Sequence, residues 1–74
     1  MKRYKINKTI MISLLTPREH YDTLIDPNTG FFLETDGKTI WLLHNEKRIR
    51  NESNTMAWVI NEWLNEGRVS RIYE

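Results

Sequence analysis

The strongest constraint on this chain is a hairpin signature near its middle. Asp36-Gly37 is typical of type I′ turns, and strand-forming apolar residues flank it on both sides. A two-residue loop predicts that Leu33 opposes Ile40, and it requires a positive φ at Gly37. The register in turn decides which side chains share a face of the sheet.

That register divides the hairpin into a core face and a second, mixed face. Phe31 and Leu42 oppose one another and join the predicted core face. Phe32 opposes Trp41 on the second face, which they share with Leu43, Glu34 and Thr39. Aromatic side chains there are either covered by another element or available to a partner.

The N-terminal segment alternates between apolar and polar residues. Its apolar members share one parity: Tyr4, Ile6, Ile10, Ile12 and Leu14. This pattern predicts one half-buried strand, or two short strands that bend around Asn7-Lys8.

A helix is predicted over residues 17–25. Thr16-Pro17-Arg18-Glu19 matches a capping box with proline at the first helical position. The helix would carry Tyr21, Leu24 and Ile25 on one side and end at Asp26-Pro27.

Beyond the hairpin, residues 44–47 indicate a turn that leads into a short strand from Arg48 to Arg50. Ile49 would return to the core face of the sheet. Val69 to Tyr73 is predicted as the last strand, which either pairs with the N-terminal strand or flanks the hairpin.

A second helix is predicted from Met56 to Glu66, with Asn54-Thr55 as its N-cap and Gly67 as its stop. At about 100° per residue, its apolar stripe consists of Met56, Val59, Ile60, Trp63 and Leu64. Trp58 falls on the opposite side, among polar residues: Asn61, Glu62 and Asn65. A tryptophan on a polar helical face is covered by another element or offered to a partner.

Together these elements predict one α+β domain over residues 1–74, in the order β-α-β-β-β-α-β. An antiparallel meander with the C-terminal helix across one face would bury the apolar sides of both. The chain has no cysteine, so neither disulfides nor thiolate metal ligands supplement the core.

The composition favours some classes of function over others. Eleven basic and ten acidic residues give a net charge of +1, whereas dedicated nucleic-acid-binding domains are usually strongly basic. The longest apolar run, Ile40 to Leu43, is too short to cross a membrane. We expect a cytoplasmic protein without a membrane partner, and the abundance of Asn, Lys, Ile and Glu suggests a bacterial or phage origin.

Catalysis has little support in the sequence. His20 and His44 are its two histidines, and neither belongs to a recognisable nucleophile, metal or phosphate-binding motif. We therefore expect no enzymatic activity, cofactor or metal.

The leading hypothesis is a small regulatory or adaptor protein that binds another protein, or a second copy of itself, through aromatic side chains. One contact face would consist of Trp58, Asn61, Glu62 and Asn65, and a second of Phe32 and Trp41. The alternative is a nucleic-acid-binding module with Trp41 or Tyr4 stacking on bases. Its phosphate contacts would be Arg3, Lys5, Lys47, Arg48 and Arg50.

Overall fold

The computed structural model describes residues 1–15, 20–49, 53 and 55–73, and for residues 15, 20 and 21 it describes the backbone alone. Seven strands and one helix lie within these ranges. In chain order they are β1 Lys2–Ile6, β2 Ile10–Leu15, β3 His20–Ile25, β4 Phe31–Thr35, β5 Ile40–His44, β6 Lys47–Arg48, α1 Val59–Asn65 and β7 Val69–Ile72.

The strands form two antiparallel sheets. Five of them lie in the order β6-β5-β4-β1-β7, and β2 pairs with β3 in a separate two-stranded sheet. The pairing of β1 with β7 confirms that the terminal strands meet. The predicted α+β class with two helices is wrong, because the described chain is mostly strand and contains a single short helix.

The alternation in the N-terminal segment is confirmed as two strands with a bend between them. Tyr4 and Ile6 of β1 and Ile10, Ile12 and Leu14 of β2 are all buried. At the bend, the C=O of Arg68 accepts hydrogen bonds from Asn7 N–H at 2.7 Å and from Lys8 N–H at 3.2 Å. These bonds take the backbone out of β1, and the chain enters the second sheet.

The predicted helix over residues 17–25 is wrong: residues 20–25 form strand β3. Ile25 pairs with Ile10 and is buried with it, whereas Leu24 is exposed on the other side of the strand. Tertiary burial with period two therefore outweighed the helix-start signal, since a helix this short gains little stability by itself. The capping box itself, residues 16–19, lies outside the described residues.

The hairpin of β4 and β5 is confirmed, but the predicted register is wrong by two residues. Leu33 opposes Leu42 and Thr35 opposes Ile40, so four residues connect the strands instead of two. A shift of two preserves the parity of every side chain. Leu33, Ile40 and Leu42 are therefore buried as predicted, while Phe32 and Trp41 lie on the other face without opposing one another.

Hydrogen bonds of Asp36 and Thr35 explain the longer loop. Oδ1 of Asp36 accepts from the N–H groups of Lys38 and Thr39, both at 2.9 Å. Oγ1 of Thr35 accepts from Gly37 N–H at 3.0 Å and donates to the C=O of Thr39 at 2.7 Å. Gly37 has a φ of +98°, which confirms the predicted positive value.

The two-residue turn lies instead between β5 and β6. Asn45 and Glu46 have φ values of +52° and +68°, the left-handed pair that a type I′ turn needs. Strand β6 is Lys47–Arg48, whereas the predicted strand ran from Arg48 to Arg50. Arg50 lies outside the described residues. Ile49 follows the strand, half-buried against the core.

Helix α1 is shorter than predicted at its N-terminal end. Val59 N–H bonds to Met56 C=O at 3.0 Å, three residues back, so the chain enters the helix through a tight turn. Trp58 is the N-cap residue instead of the predicted Asn54-Thr55. Thr55 Oγ1 accepts from Ser13 N–H of β2 at 3.0 Å, and Asn54 lies outside the described residues. Met56 is consequently exposed, contrary to its predicted place in the apolar stripe.

The other end of α1 matches the prediction. Gly67 has a φ of +72°, and Arg68 N–H bonds to Trp63 C=O at 2.8 Å, as in a Schellman cap. Ile60 and Trp63 are buried as predicted, whereas Leu64 is partly exposed. Ile60 and Trp63 pack in one cluster with residues of both sheets, namely Tyr4, Ile6, Ile10, Ile12, Ile25, Leu33, Ile40, Leu42 and Val69.

Candidate binding surfaces

Trp58 stands at the N-terminal end of α1, where it is the N-cap residue. Its side chain is 58% exposed, in agreement with its predicted place on the polar side of the helix. The first turn of α1 holds its backbone, since Asn61 N–H bonds to Trp58 C=O at 3.1 Å. An exposed indole is thus presented on a fixed backbone.

Next to Trp58 lies an open groove of about 580 Å³. Three segments that are distant in the sequence line it, namely the start of β1, the β4–β5 loop and the first turn of α1. Their residues are Met1, Lys2, Tyr4, Thr35, Asp36, Gly37, Ala57, Trp58, Ile60 and Asn61.

The groove combines an apolar floor with a polar rim. Tyr4 and Ile60 are buried and form part of its floor, while Asn61 and Lys2 are exposed. Asp36 adds a negative charge, because the backbone N–H groups of Thr39 and Lys38 that bond to it lower the pKa of its carboxyl. Such a surface can take an apolar side chain and orient it with polar contacts.

The predicted Trp58 face is only partly assembled at this groove. Asn61 lines the groove beside Trp58. Glu62 and Asn65 are exposed on the same side of α1 but do not line the groove. Their place in a contact face stays a prediction.

The second predicted surface is the face of the five-stranded sheet opposite the core. Cross-strand pairing puts Phe32 between Leu43 and Lys5, and Glu34 between Trp41 and Arg3. Phe32 and Trp41 are half-buried, and a small hollow of about 250 Å³ is lined by Arg3, Phe32, Leu43, Glu46 and Ile72.

Charged groups already occupy much of this face. The guanidinium of Arg48 lies 4.1 Å from the ring centroid of Trp41. It also donates to Oε1 of Glu34, at 2.9 Å from Nε and 2.6 Å from a terminal nitrogen, while Arg3 donates to Oε2 at 3.5 Å. The bonds from Arg48, with those from Arg3, lower the pKa of Glu34. Trp41 is thus covered on one side.

The residues of the nucleic-acid alternative fall into three groups. Arg3, Lys5 and Arg48 share the outer sheet face with Trp41, and Lys47 is exposed on β6. Tyr4 is buried, so its predicted role in base stacking is wrong. Arg50 lies outside the described residues.

Sequence reasoning found Trp58 but missed most residues around it. Met1, Lys2 and Asp36 reach the groove only because β1 pairs with β4 and places their ends together. No local pattern carries that information. A partial signal was the position of Asp36 in a turn, where a carboxylate remains near the surface.

In the described ranges, no helix is long and apolar enough to cross a membrane, and no group of three or more His, Cys, Asp or Glu residues could hold a metal ion. The chain was also compared with protein-family models, curated proteins and solved structures. None of these comparisons finds a match.

Proposed function

We propose that this chain is a small, non-enzymatic regulatory or adaptor protein that binds a protein partner at the groove beside Trp58. One observation carries the proposal: an indole that is 58% exposed stands on a fixed backbone next to an apolar-floored groove. Tryptophan is enriched among the residues that dominate binding energy at protein interfaces. The groove beside Trp58 is therefore a suitable place for the proposed protein contact.

The groove also sets the chemistry of the contact. Its volume of about 580 Å³ lies in the range of sites that enclose a ligand group, and its floor is apolar. A partner would place an apolar side chain against Trp58 and Ile60. Polar or basic groups beside that side chain would meet Asn61 and the Asp36 carboxylate.

The outer sheet face supports the nucleic-acid alternative less well. Arg3 and Arg48 both bond to Glu34, and Arg48 covers one side of Trp41. Phosphate binding would have to compete with Glu34, and base stacking would have to displace Arg48. A salt titration with random DNA and RNA separates the two functions, because phosphate contacts weaken steeply as salt rises.

The test is a quantitative affinity capture from the native host, with wild type and two variants. Trp58→Ala should lose the captured protein. Met11→Ala is the matched control, since Met11 is also 58% exposed but lies on β2, away from the groove. Equal capture by all three chains would contradict the proposal.

Two further measurements complete the test. Sedimentation equilibrium of the purified chain shows whether the partner is a second copy, in which case Trp58→Ala should shift the chain toward monomer. A cytoplasmic location is part of the proposal, and fractionation of the native host tests it.

A further inference from the structure

Two polar groups of the groove beside Trp58 have no partner among the described residues. The side chain of Tyr4 is 6% exposed on the floor, and its hydroxyl forms no hydrogen bond within the described ranges. This hydroxyl is not among the fully buried unbonded atoms, so it is the part of Tyr4 that reaches the groove. The carboxylate of Asp36 lies at the rim, and no described basic side chain forms a salt bridge with it. A molecule bound in the groove can therefore donate hydrogen bonds to both groups.

The Asp36 carboxylate is held in place and negatively charged. Its Oδ1 accepts from the backbone N–H groups of Thr39 and Lys38, both at 2.9 Å. These bonds also lower the pKa of the carboxyl, so it is ionised at neutral pH. The second oxygen, Oδ2, has no bonded partner in the described part of the chain and can accept from a ligand.

The basic residue that lines the groove leaves these groups available. Lys2 is exposed and forms no salt bridge with Asp36 in the ranges that the structure describes. The cation–π contacts of the described residues involve the rings of Trp41 and Tyr73, so no described cation covers the indole of Trp58. One groove thus presents an indole face and a carboxylate, which both attract positive charge.

An arginine side chain matches this combination of groups. Its guanidinium carries five N–H donors and no acceptor, and its planar face stacks on tryptophan. Its methylene stem can lie on the apolar floor beside Ile60. A lysine ammonium is compact and more strongly hydrated, so it engages an indole face and a carboxylate together less well.

We propose that the partner inserts an arginine into the groove, with its guanidinium between Trp58 and Asp36 and a hydrogen bond to the Tyr4 hydroxyl. This assignment rests on the protein contact proposed for Trp58, and it adds the residue by which the partner is recognised. Asp36 and Tyr4 then provide specificity, whereas Trp58 supplies contact area.

The probe is a short synthetic peptide with blocked ends, in which one arginine stands between two leucines. Its affinity is measured by NMR titration of the isotope-labelled chain, and we expect shifts at the Trp58 indole N–H and the Gly37 amide. A peptide with citrulline in place of arginine has nearly the same shape without the charge. It should bind about tenfold more weakly, because a charge-assisted hydrogen bond is lost. A lysine peptide should bind with an affinity between these two.

Variants of the chain locate the contact. Asp36→Asn keeps an oxygen for the backbone bonds but removes the charge, so the arginine and citrulline peptides should bind it with nearly equal affinity. Asp26→Asn is the matched control and should preserve the difference, since Asp26 is an exposed carboxylate that does not line the groove. Tyr4→Phe keeps the buried ring and should weaken binding of the arginine peptide about threefold. Lys2→Gln removes a like charge and should strengthen that binding.

Four results would overturn the proposal. They are equal affinity of wild type for the arginine and citrulline peptides, no binding of the arginine peptide, equally tight binding of the lysine peptide, and shifts centred on Glu34 instead of the groove. The citrulline comparison leaves the chain unchanged, so it decides the question even where a variant does not fold.

Affinity capture from the native host separates this proposal from the one on which it rests. Loss of the captured protein in Trp58→Ala with full capture by Asp36→Asn would keep the protein contact and overturn the partner's arginine. Arginine-selective peptide binding with full capture by Trp58→Ala would instead overturn the protein contact at this groove.

Discussion

The two sides of helix α1 present the same residue type in opposite surroundings. Trp63 is 8% exposed in the cluster between the sheets, whereas Trp58, five residues earlier, is 58% exposed. Five residues correspond to about 500° of rotation along a helix, which puts the two indoles on different sides. One side packs in the core cluster, and the other is exposed to solvent.

The difference shows that packing of the fold does not require the exposed position of Trp58. Ile60 and Trp63 satisfy the burial requirement of α1, and the tight turn before the helix directs Trp58 toward the groove. Burial of an aromatic side chain is among the largest contributions to a small core. A tryptophan left outside such a core forgoes that contribution.

The largest effect is expected on the buried side of α1. Trp63→Ala should lower the free energy of unfolding by about 3–5 kcal/mol, and Ile60→Ala by about 2–5 kcal/mol, because each leaves a cavity between the sheets. Urea denaturation followed by circular dichroism measures both. For a chain of this size, either loss is comparable to the whole stability.

Leu64→Ala is the matched control for these two substitutions. Leu64 lies on the same helix but is 36% exposed, so its truncation should cost much less. If Leu64→Ala and Trp63→Ala lowered stability equally, the contrast between the two sides of α1 would be lost.

A smaller effect is expected at the opposite wall of the groove. Gly37→Val should destabilise the fold by about 1–3 kcal/mol, since a β-branched residue tolerates a positive φ poorly. Apart from the two neighbouring residues, no atom of the described residues lies within 4 Å of a Cβ placed there, so the cost comes from the backbone and not from a clash. Gly37→Asn should cost less in the same urea experiment, and an equal cost would point to crowding instead.

These elements also show how far the sequence predicts the fold. The alternation of apolar and polar residues correctly predicted β1 and β2. The hairpin register is shifted by two residues, but an even shift leaves each side chain on its predicted face of the sheet. The helix-start signal at residues 16–19 failed because the choice between helix and strand for residues 20–25 depended on pairing with β2. Local signals cannot contain that long-range contact.

The candidate sites follow the same rule. Trp58 was identified because its anomaly is local, a tryptophan among polar helical neighbours. Asp36 and Met1 entered the groove through the pairing of β1 with β4. Such features become visible only when the topology is known.

On the outer sheet face, substitution of Glu34 should have an intermediate effect on stability. Glu34→Gln should lower stability by about 1 kcal/mol or less at neutral pH, because Arg48 is 44% exposed at its side chain and water screens the pair. This substitution removes the charge and keeps the shape of the side chain. Urea denaturation at low and at high salt should show a smaller difference at high salt.

Acidification should remove the same contribution. The pKa of Glu34 is lowered from its ordinary value of 4.5, so the folded state binds its proton less readily than the unfolded state. Its stabilisation is fully present above pH 4.5 and is lost as the pH falls through the lowered pKa. The Glu34→Gln chain should therefore lose less stability than wild type over this window, and parallel pH profiles would show that the ion pair contributes nothing.

The smallest effect on stability is expected at Trp58, and it sharpens the comparison most. Trp58→Ala should change the free energy of unfolding by no more than about 0.5 kcal/mol, as exposed substitutions do. The same change should weaken partner binding by about 2 kcal/mol or more, as the loss of an interface anchor does. Melting temperature and affinity are measured on the same preparations of wild type and variant. A large loss of stability would mean that Trp58 belongs with Trp63 as a structural residue. An unchanged affinity would leave the groove without its principal contact.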